Sequence, residues 1–379
     1  MTCAIAGIGR TAFTRSSGRT PLAMATEACR KALADAGLGV DDVDGIIAFQ
    51  TNDSTHPLEV SYALGREELS WSPSIYAGGN AVADCVAMAA AAIEAGICRA
   101  ALFYRSLNGR SGNRYGTVTG PVQVPGEWQF SAPHGFMVPP QWIAMWANRH
   151  QAVYGSTCED LGQIAIVQRA HAAENEHAIA REPLTMEQYL AGRWVNEPFR
   201  VYDCAYEVDG ALAVLIVGED MVADTAKKPV WLVGSSSSQS GTNWVQWDDQ
   251  TTMYSRTAAP KLWNKTGLSP SDIDVALMYD CFTYTVMATM EDYGFCGKGE
   301  VGEYFAGGRA TYGGEVVVNP HGGLLSEGYL HGINHHYEAT LQLRGEAGSR
   351  QVTDARVALV TAGAGPYGGA NIFSSEHPA

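Results

Sequence analysis

The feature that most restricts the possible folds of this 379-residue chain is a short motif that occurs twice. The run GLGVDDVD at residues 37–44 returns as GLSPSDID at residues 267–274, which is 230 residues further on. Each copy follows a helix-like run and leads into a short apolar run typical of buried strands, at residues 45–49 and 275–279. Self-similarity over this distance predicts two copies of one α/β unit.

The helix before the first copy has clear boundary signals. Thr20 is a good N-cap, Pro21 fits the first helical position because its missing N–H is not needed there, and Gly37 suits the helix end. We therefore expect a helix over residues 21–36, between two strands.

The two units predict two domains, residues 1–225 and 226–379, with a linker near residues 223–228. The first domain contains an insertion at about residues 108–199, which begins with several glycines and is rich in Trp, Met and Pro. Aromatic residues at this density favour packing or a binding wall over a floppy surface loop. The insertion is expected to be an ordered loop domain.

Composition excludes several classes of protein. Forty acidic and 25 basic side chains give a formal charge of -15, which argues against nucleic acid or an anionic membrane as the main partner. Eight cysteines without a CxxC pair indicate neither a zinc ribbon nor a disulfide framework. The sequence shows no leader and no apolar run of membrane-spanning length, so we expect a cytoplasmic protein with reduced thiols.

Four loops complete the pattern. Three contain glycine, at residues 76–80, 319–332 and 361–365, and the fourth is the strand end at residues 279–282. The runs NPHGG at 319–323, GYL at 328–330 and LRGEAG at 343–348 resemble the N-P-x-G-G, G-H-P and L-R-G-E-A-G block of the thiolase superfamily, in particular its sterol-carrier and lipid-transfer branch. DCF at 280–282 resembles the H-D-C-F strand end of that family. The resemblance covers nearly the whole chain. It implies an α/β thiolase fold, with two duplicated halves in a five-layer αβαβα arrangement and an inserted loop domain.

The departures from the family pattern concern its catalytic residues. Thiolases form a thioester on a cysteine at the start of a buried helix, where this chain has the run GGN at residues 78–80. Tyr329 stands at the position of the activating histidine, and Thr361 at that of the second cysteine. Cys85 lies inside the helix, where a small core residue is the better interpretation. Chemistry through an acyl-enzyme is therefore not expected.

Two tyrosines stand where the family has histidines, Tyr279 in the strand-end motif and Tyr329 in the G-H-P loop. A phenol is a weak base near its usual pKa of about 10, but one whose pKa is depressed by nearby dipoles can exchange a proton with an alcohol. This chemistry suits a retro-aldol reaction. A base takes the proton of a β-hydroxyl group, the bond to the thioester α-carbon breaks, and oxyanion donors hold the enolate until it is protonated.

This pattern resembles the bacterial steroid side-chain aldolases, which release propionyl-CoA and a 17-keto steroid from a 17-hydroxy, 20-carboxyl-CoA intermediate. The resemblance implies that Tyr279 and Tyr329 are the acid–base pair. It does not say which of them takes the hydroxyl proton, and we choose Tyr329 as the working hypothesis. It also implies that N–H groups near Gly79 and Gly363 hold the thioester oxygen.

Further implications concern cofactors and assembly. The resemblance implies a partner that carries a DUF35 OB-fold domain. It further implies a homodimer with its edge strand near residues 102–104, hence a heterotetramer with the partner. No cofactor is implied, because the CoA is part of the substrate.

Several histidines lie near these motifs. His321 and His331 are expected to border the substrate, although a structural hydrogen bond is an equally good role for His321. His331, His335 and His336 have i, i+4 spacing, but no acidic third ligand accompanies them in a known metal motif. The expectation is that the site holds no metal.

Two alternatives stay open. One is a catalytically silent acyl-CoA or lipid carrier that has kept the fold and lost the nucleophile. The other is a divergent acyltransferase that uses an unexpected nucleophile such as Cys281.

Overall fold

A computed structural model describes residues 2–112, 114, 115, 124, 126 and 128–378. Residues 113, 116–123, 125 and 127 of the predicted insertion lie outside the described residues. The strands of the described part are β1 (Cys3–Arg10), β2 (Gly45–Gln50), β3 (Ser74–Tyr76), β4 (Ala100–Asn108), β5 (Trp194–Asn196), β6 (Phe199–Arg200), β7 (Asp209–Gly218), β8 (Val230–Gln239), β9 (Val275–Leu277), β10 (Val317–Val318), β11 (Val357–Ala364) and β12 (Tyr367–Ser374).

The α-helices of the same residues are α1 (Pro21–Ala36), α2 (Pro57–Leu64), α3 (Val82–Glu94), α4 (Trp128–Ser131), α5 (Pro139–Tyr154), α6 (Cys158–Ala173), α7 (Met186–Ala191), α8 (Ser255–Thr266), α9 (Thr283–Asp292), α10 (Val301–Ala306), α11 (Gly323–Ser326) and α12 (Ile333–Arg344). In the described part of the chain, no helix combines the length and apolar character needed to cross a bilayer.

The two halves of the chain repeat one strand order. The first half is ordered β3-β2-β4-β7-β1 and the second β10-β9-β11-β12-β8. Corresponding neighbours run in the same sense, with parallel pairs among the first three strands of each half and antiparallel pairs among the rest. An antiparallel contact between β1 and β8 joins the halves. The doubled α/β unit that the repeated motif predicts is thus visible in the topology, whereas the domain bounds at 225 and 226 stay a prediction.

Helices fill both sides of each half. The central helices α3 and α12 contact strands of both halves, while α1 packs on the outer face of the first half and α8 on that of the second. Most residues of α3 are buried, including Cys85, which is fully enclosed near the beginning of that helix. A helix that is apolar on nearly all sides belongs between two layers.

The start and end of α1 follow the sequence signals. The Thr20 side chain accepts a hydrogen bond from the N–H of Ala23, and Gly37 ends the helix in the left-handed conformation with φ 71°. Local capping chemistry therefore fixed these two boundaries.

The expectation that residues 102–104 form an edge strand at a dimer interface is wrong. These residues belong to β4, which pairs with β2 on one side and β7 on the other, and Leu102, Phe103 and Tyr104 are all fully buried. A continuous apolar run is typical of a central strand covered on both faces. The free edge of this half is β3, where Tyr76 is 75% exposed.

The insertion packs on the second half of the chain. Its helices α5 and α6 contact α9, and α6 also contacts α10. Trp146 and Tyr189 of the insertion are fully buried in a core shared with the second half. This packing places part of the insertion over the carboxyl end of β9.

Candidate active site

A cavity of about 690 Å³ opens where the two halves and the insertion meet. The central part of its lining comes from the turn before α3, the end of β9, the turn between β11 and β12, and the loop before α12. These segments contribute Gly79, Tyr279, Gly363, Tyr329 and His331. Four separate loops of the sequence therefore converge on one space.

The hydroxyl groups of Tyr279 and Tyr329 form a hydrogen bond, with 3.0 Å between the two Oη atoms. Backbone hydrogen bonds fix both residues. The N–H of Tyr279 donates to Thr361 Oγ1 at 2.8 Å, and the N–H of Tyr329 donates to the carbonyl of Tyr206 at 2.8 Å. Thr361, at the position of the second thiolase cysteine, is an anchor for Tyr279 and is itself fully buried.

Burial raises the pKa of both hydroxyl groups. For Tyr279 the neighbouring Tyr329 adds to the effect, and for Tyr329 the main cause is again loss of contact with water. The expectation of phenols with depressed pKa values is therefore wrong, because enclosure outweighs the dipoles around them. Both tyrosines hold their protons at neutral pH.

Gly79 makes room for this pair. A Cβ atom at position 79 would overlap Tyr279 Oη and Cζ. A cysteine at this position could not coexist with Tyr279 in its observed place. Tyr279 can therefore occupy its place only because position 79 has no side chain, and so no nucleophile.

The two glycines expected to supply backbone donors, Gly79 and Gly363, both line the cavity. Gly79 begins the short turn Gly79–Ala81 that leads into α3, and the first N–H groups of a helix have no carbonyl partner within it. Gly363 lies across from it with φ 100°, and a Cβ there would overlap the carbonyl oxygen of Tyr367. Glycine is therefore required at 363 for the close approach of the turn to Asn80.

The two predicted histidines have different positions. His331 lines the cavity between Tyr115 and Tyr329. The centroid of its ring lies 4.7 Å from the ring centroid of Tyr115 and 4.7 Å from that of Tyr329. His321 does not line the cavity. It is fully buried, its Nε2 lies 3.2 Å from His335 Nδ1, and its carbonyl accepts a hydrogen bond from Asn175.

The neighbouring polar groups support the loop. Asp280 accepts hydrogen bonds from the N–H groups of Leu324 and Leu325 at 2.9 and 3.2 Å, and so braces the loop. His335 lies 3.4 Å from Asp280, whereas His336 is bonded to Asn371 at 2.8 Å. Within the described residues, no three His, Cys, Asp or Glu side chains converge as they would on a metal ion.

The outer part of the cavity is apolar and aromatic. Trp142 of the insertion lies 5.6 Å from Trp244 of the second half, measured between ring centroids. Further apolar lining comes from Pro139, Pro140, Ile143, Val195, Val201 and Phe282. The charged lining consists of Arg110, Arg193 and the ion pair of Arg114 with Glu207, which leaves a net positive charge. A large apolar group with an anionic end would fit this combination.

Cys281 also lines the cavity. Burial raises the pKa of its thiol, and Asp280 adds to this effect. A thiol of this kind stays protonated near neutral pH, which makes it a poor nucleophile.

Several residues that surround the candidate site were not predicted from the sequence. Arg105 and Asp53 lie behind His331, and Tyr115, Trp142 and Trp244 form walls. One signal was available, because Arg105 is the one charged residue of a strand that begins with a run of apolar residues. Asp53, Tyr115 and Trp244 come from loops whose path follows from tertiary packing. Trp142 lies in α5 of the insertion, whose aromatic residues were expected to pack or to form a binding wall.

Comparisons with known proteins agree with this geometry. The family model "Thiolase C-terminal domain-like" matches residues 236–373. The chain is 38% identical to the steroid side-chain-cleaving aldolase of Thermomonospora curvata, over 96% of this chain and 95% of that one. It is 37% identical to the 17-hydroxy-3-oxo-4-pregnene-20-carboxyl-CoA lyase of Mycobacterium tuberculosis, over 96% of each.

Solved structures give the same result. The Ltp2-ChsH2(DUF35) aldolase matches with a TM-score of 0.93 and 35% identity, over 100% of this chain and 99% of that one. Human mitochondrial 3-ketoacyl-CoA thiolase matches with a TM-score of 0.68 at 15% identity, over 99% of each chain, which is a likeness of fold.

Proposed function

This chain belongs to the thiolase-like family, and on that premise we propose that it is an acyl-CoA carbon–carbon lyase. The proposed reaction is the retro-aldol cleavage of a β-hydroxyacyl-CoA. The proposed substrate is a steroid 17-hydroxy-20-carboxyl-CoA thioester, which gives a 17-keto steroid and propionyl-CoA. The names of the two relatives, one an aldolase and one a lyase of such a thioester, support this assignment.

The observation that carries the proposal is the hydrogen bond between Tyr279 and Tyr329 inside a cavity with no room for a nucleophile at position 79. Two linked hydroxyl groups can move a proton. They cannot hold an acyl group in the way that a thiolase cysteine does.

In the proposed reaction, the C17 hydroxyl group loses its proton as the C17–C20 bond breaks. The electron pair of that bond moves into the thioester, forming an enolate, and C17 becomes a ketone. Protonation of the enolate at C20 then gives propionyl-CoA. The N–H groups near Gly79 and Gly363 are the proposed donors to the enolate oxygen, where negative charge develops.

Because the pKa values of Tyr279 and Tyr329 are raised, a proton relay through two neutral hydroxyl groups is favoured over a phenolate that is present before the reaction. Tyr329 Oη accepts the substrate proton while its own proton passes along the hydrogen bond to Tyr279. Tyr279 gives its proton to the enolate carbon. The pair ends the cycle as it began, so neither tyrosine has to exist as a free anion.

The assembly and setting are part of the proposal. We propose a DUF35 OB-fold partner, because the similar Ltp2 aldolase is paired with the DUF35 protein ChsH2. We also propose a homodimer core that becomes a heterotetramer with that partner. The reaction needs no cofactor, since CoA belongs to the substrate. We place it in the cytoplasm, where reduced thiols persist and acyl-CoA thioesters are available.

The test combines the purified chain, its DUF35 partner and 17-hydroxy-3-oxo-4-pregnene-20-carboxyl-CoA. Equal amounts of propionyl-CoA and 17-keto steroid are expected. Tight binding without products in the presence of the partner would instead support a silent carrier. A covalent acyl adduct on Cys281, seen by mass spectrometry and lost in Cys281→Ser, would support an acyltransferase.

A further inference from the structure

Arg105 occupies an unusual place for an arginine. Its side chain has no exposure to solvent and lies in β4, a central strand of the first half. Its guanidinium group donates to the carbonyl of Phe49 at 3.0 Å and pairs with the carboxylate of Asp53, which is also buried. Burial of a charge is costly unless its partners are in place, so this network is held in one arrangement.

The same guanidinium group contacts His331. Arg105 Nε and Nη2 lie 3.2 and 3.0 Å from His331 Nδ1. A guanidinium group has donors only, so Nδ1 must be the acceptor in both contacts. The proton of a neutral His331 ring must then be on Nε2.

The surroundings keep the ring neutral. Burial and the charge of Arg105 lower the pKa of His331 well below its usual value, and Asp53 opposes the effect without reversing it. The titratable groups that face the ring are Arg105 from β4, Asp53 from the segment after β2, Tyr115 from the insertion, and Tyr329 from its own loop.

The backbone at His331 is also held in a rare conformation. Its φ is 56°, in the left-handed region that residues other than glycine seldom adopt. Strained residues of this kind are common at active sites, where the surrounding contacts keep a side chain in one position. Here they keep the ring of His331 against the cavity, beside Tyr329.

We propose that Arg105 is a positioning residue that fixes His331 as the Nε2–H tautomer, so that His331 donates a hydrogen bond to the β-oxygen of the substrate. This inference rests on the proposed retro-aldol function. The β-oxygen is the atom whose proton passes to Tyr329, and it carries negative charge as the bond begins to break. His331 thus stabilises the alkoxide, while the glycine N–H groups serve the enolate oxygen.

The opposite tautomer would reverse this role. With the proton on Nδ1, two donors would face each other at Arg105, and the lone pair of Nε2 would face the substrate. His331 would then compete with Tyr329 for the hydroxyl proton. Arg105 therefore decides whether the ring acts as a donor or as an acceptor.

The first experiment needs no substrate. The complex is prepared with ¹⁵N-labelled histidine, and the His331 signals are identified by their loss in His331→Gln. The expected spectrum shows a proton on Nε2 and an unprotonated Nδ1 from pH 5.5 to 8.5. A proton on Nδ1, or titration of the ring near pH 6.5, would overturn the inference.

The second experiment uses turnover. His331→Leu removes the donor and should lower kcat by about 10²- to 10³-fold, the usual effect of losing one oxyanion donor. His331→Gln, whose amide can still donate, should recover a large part of that loss. Turnover of His331→Leu at the wild-type rate would overturn this inference alone, whereas absence of turnover by the wild-type complex would overturn the proposed function.

The third experiment addresses Arg105. The double variant Arg105→Gln with Asp53→Asn removes the contact between the guanidinium group and His331. It leaves no unpaired buried charge, which would be the main cause of misfolding in a single variant. Its matched control is Arg350→Gln with Glu338→Gln, which replaces a buried ion pair outside the cavity.

The double variant of Arg105 and Asp53 should release the His331 ring, so that both tautomers appear. Its kcat should fall about 10- to 100-fold, as happens when the residue that orients a functional histidine is removed. The control pair should keep a single Nε2–H tautomer. A single Nε2–H tautomer and unchanged kcat in the double variant of Arg105 and Asp53 would overturn the positioning role.

Discussion

The hydroxyl group of Tyr279 occupies the space into which the side chain of residue 79 would extend. Gly79 is therefore necessary for the tyrosine pair, and a side chain at 79 would displace Tyr279 from Tyr329. This relationship links one backbone position to the proton chemistry of the whole cavity.

Gly79→Ala should lower kcat by about 10²-fold or more, because a displacement of about 1 Å in a reacting group costs that much. The added methyl group overlaps Tyr279 Oη and forces the pair apart. The matched change is Gly78→Ala, whose new Cβ would meet only Asn80 Oδ1, at 3.7 Å. The measurement is the steady-state kcat of both variants. A greater fall in kcat for Gly78→Ala than for Gly79→Ala would contradict the steric argument.

Tyr279→Phe and Tyr329→Phe should each lower kcat by about 10²- to 10⁴-fold, the range for loss of general acid–base catalysis. The double variant should be about as slow as either single one, because the two hydroxyl groups work as one relay and such losses do not add. The measurement is propionyl-CoA release at saturating substrate. Losses that multiply in the double variant would show that the tyrosines act independently.

Tyr293→Phe is the control for this series. Tyr293 is buried at the end of α9, outside the cavity lining, and within the described residues its hydroxyl group has no hydrogen-bond partner. Removing that hydroxyl should leave kcat within about twofold of wild type, because no hydrogen bond is lost and no buried polar group is left without a partner. A large loss here would mean that any buried Tyr→Phe change disturbs the enzyme.

Tyr279, Tyr329 and Gly79 could be assigned to one candidate site from sequence because the motifs around them resemble those of the thiolase family. Tyr279 follows a short apolar strand, and Gly79 precedes a helix rich in alanine. Local patterns mark such junctions, whereas the expectation that they meet in one site came from the family resemblance. Thr20 and Gly37 were predictable from local patterns, since capping depends on nearby backbone atoms.

The remainder depended on distant contacts. The contact between Arg105 and His331 joins residues that are 226 positions apart, and no local pattern links them. The edge position expected for Leu102, Phe103 and Tyr104 came from the resemblance to thiolase dimers, and it was wrong because sequence does not show which strands flank a given strand. The direction of the tyrosine pKa shift was missed because it depends on how completely the cavity walls enclose Tyr279 and Tyr329.

Acid should destabilise the fold through buried histidines. The pKa values of His171 and His336 are lowered from 6.5 to about 4, mainly by burial. Between these pH values the unfolded chain binds protons that the folded chain does not, so the free energy of unfolding falls as pH falls. Each residue contributes on the order of 3 kcal/mol by pH 4. His321 and His331 act in the same direction, whereas Asp203, with a pKa raised to about 6, opposes them.

Urea denaturation at pH 7.5, 6 and 5 measures this dependence. His336→Gln keeps a donor for Asn371 and removes one titrating group, so the fall in stability between pH 7.5 and pH 5 should become smaller. Equal pH dependence in the variant and the wild type would show that His336 does not contribute.

The aromatic wall should determine the size of the acyl group. The ring centroids of Trp142 and Trp244 lie 5.6 Å apart in the outer part of the cavity. Together the two rings present a larger apolar surface than a short acyl chain can cover. Trp142→Ala should raise KM for the steroid thioester by about 10- to 100-fold, in line with about 1–3 kcal/mol for lost apolar contact.

A short β-hydroxyacyl-CoA is the matched substrate, because it ends before the wall and its kcat/KM should change by less than about threefold. Trp263→Ala is the matched variant, since Trp263 packs in the second half outside the cavity lining. It should leave the preference between the two substrates unchanged, even if it lowers the melting temperature. Equal losses for both substrates in Trp142→Ala would mean that the tryptophan shapes the reacting centre rather than the acyl pocket.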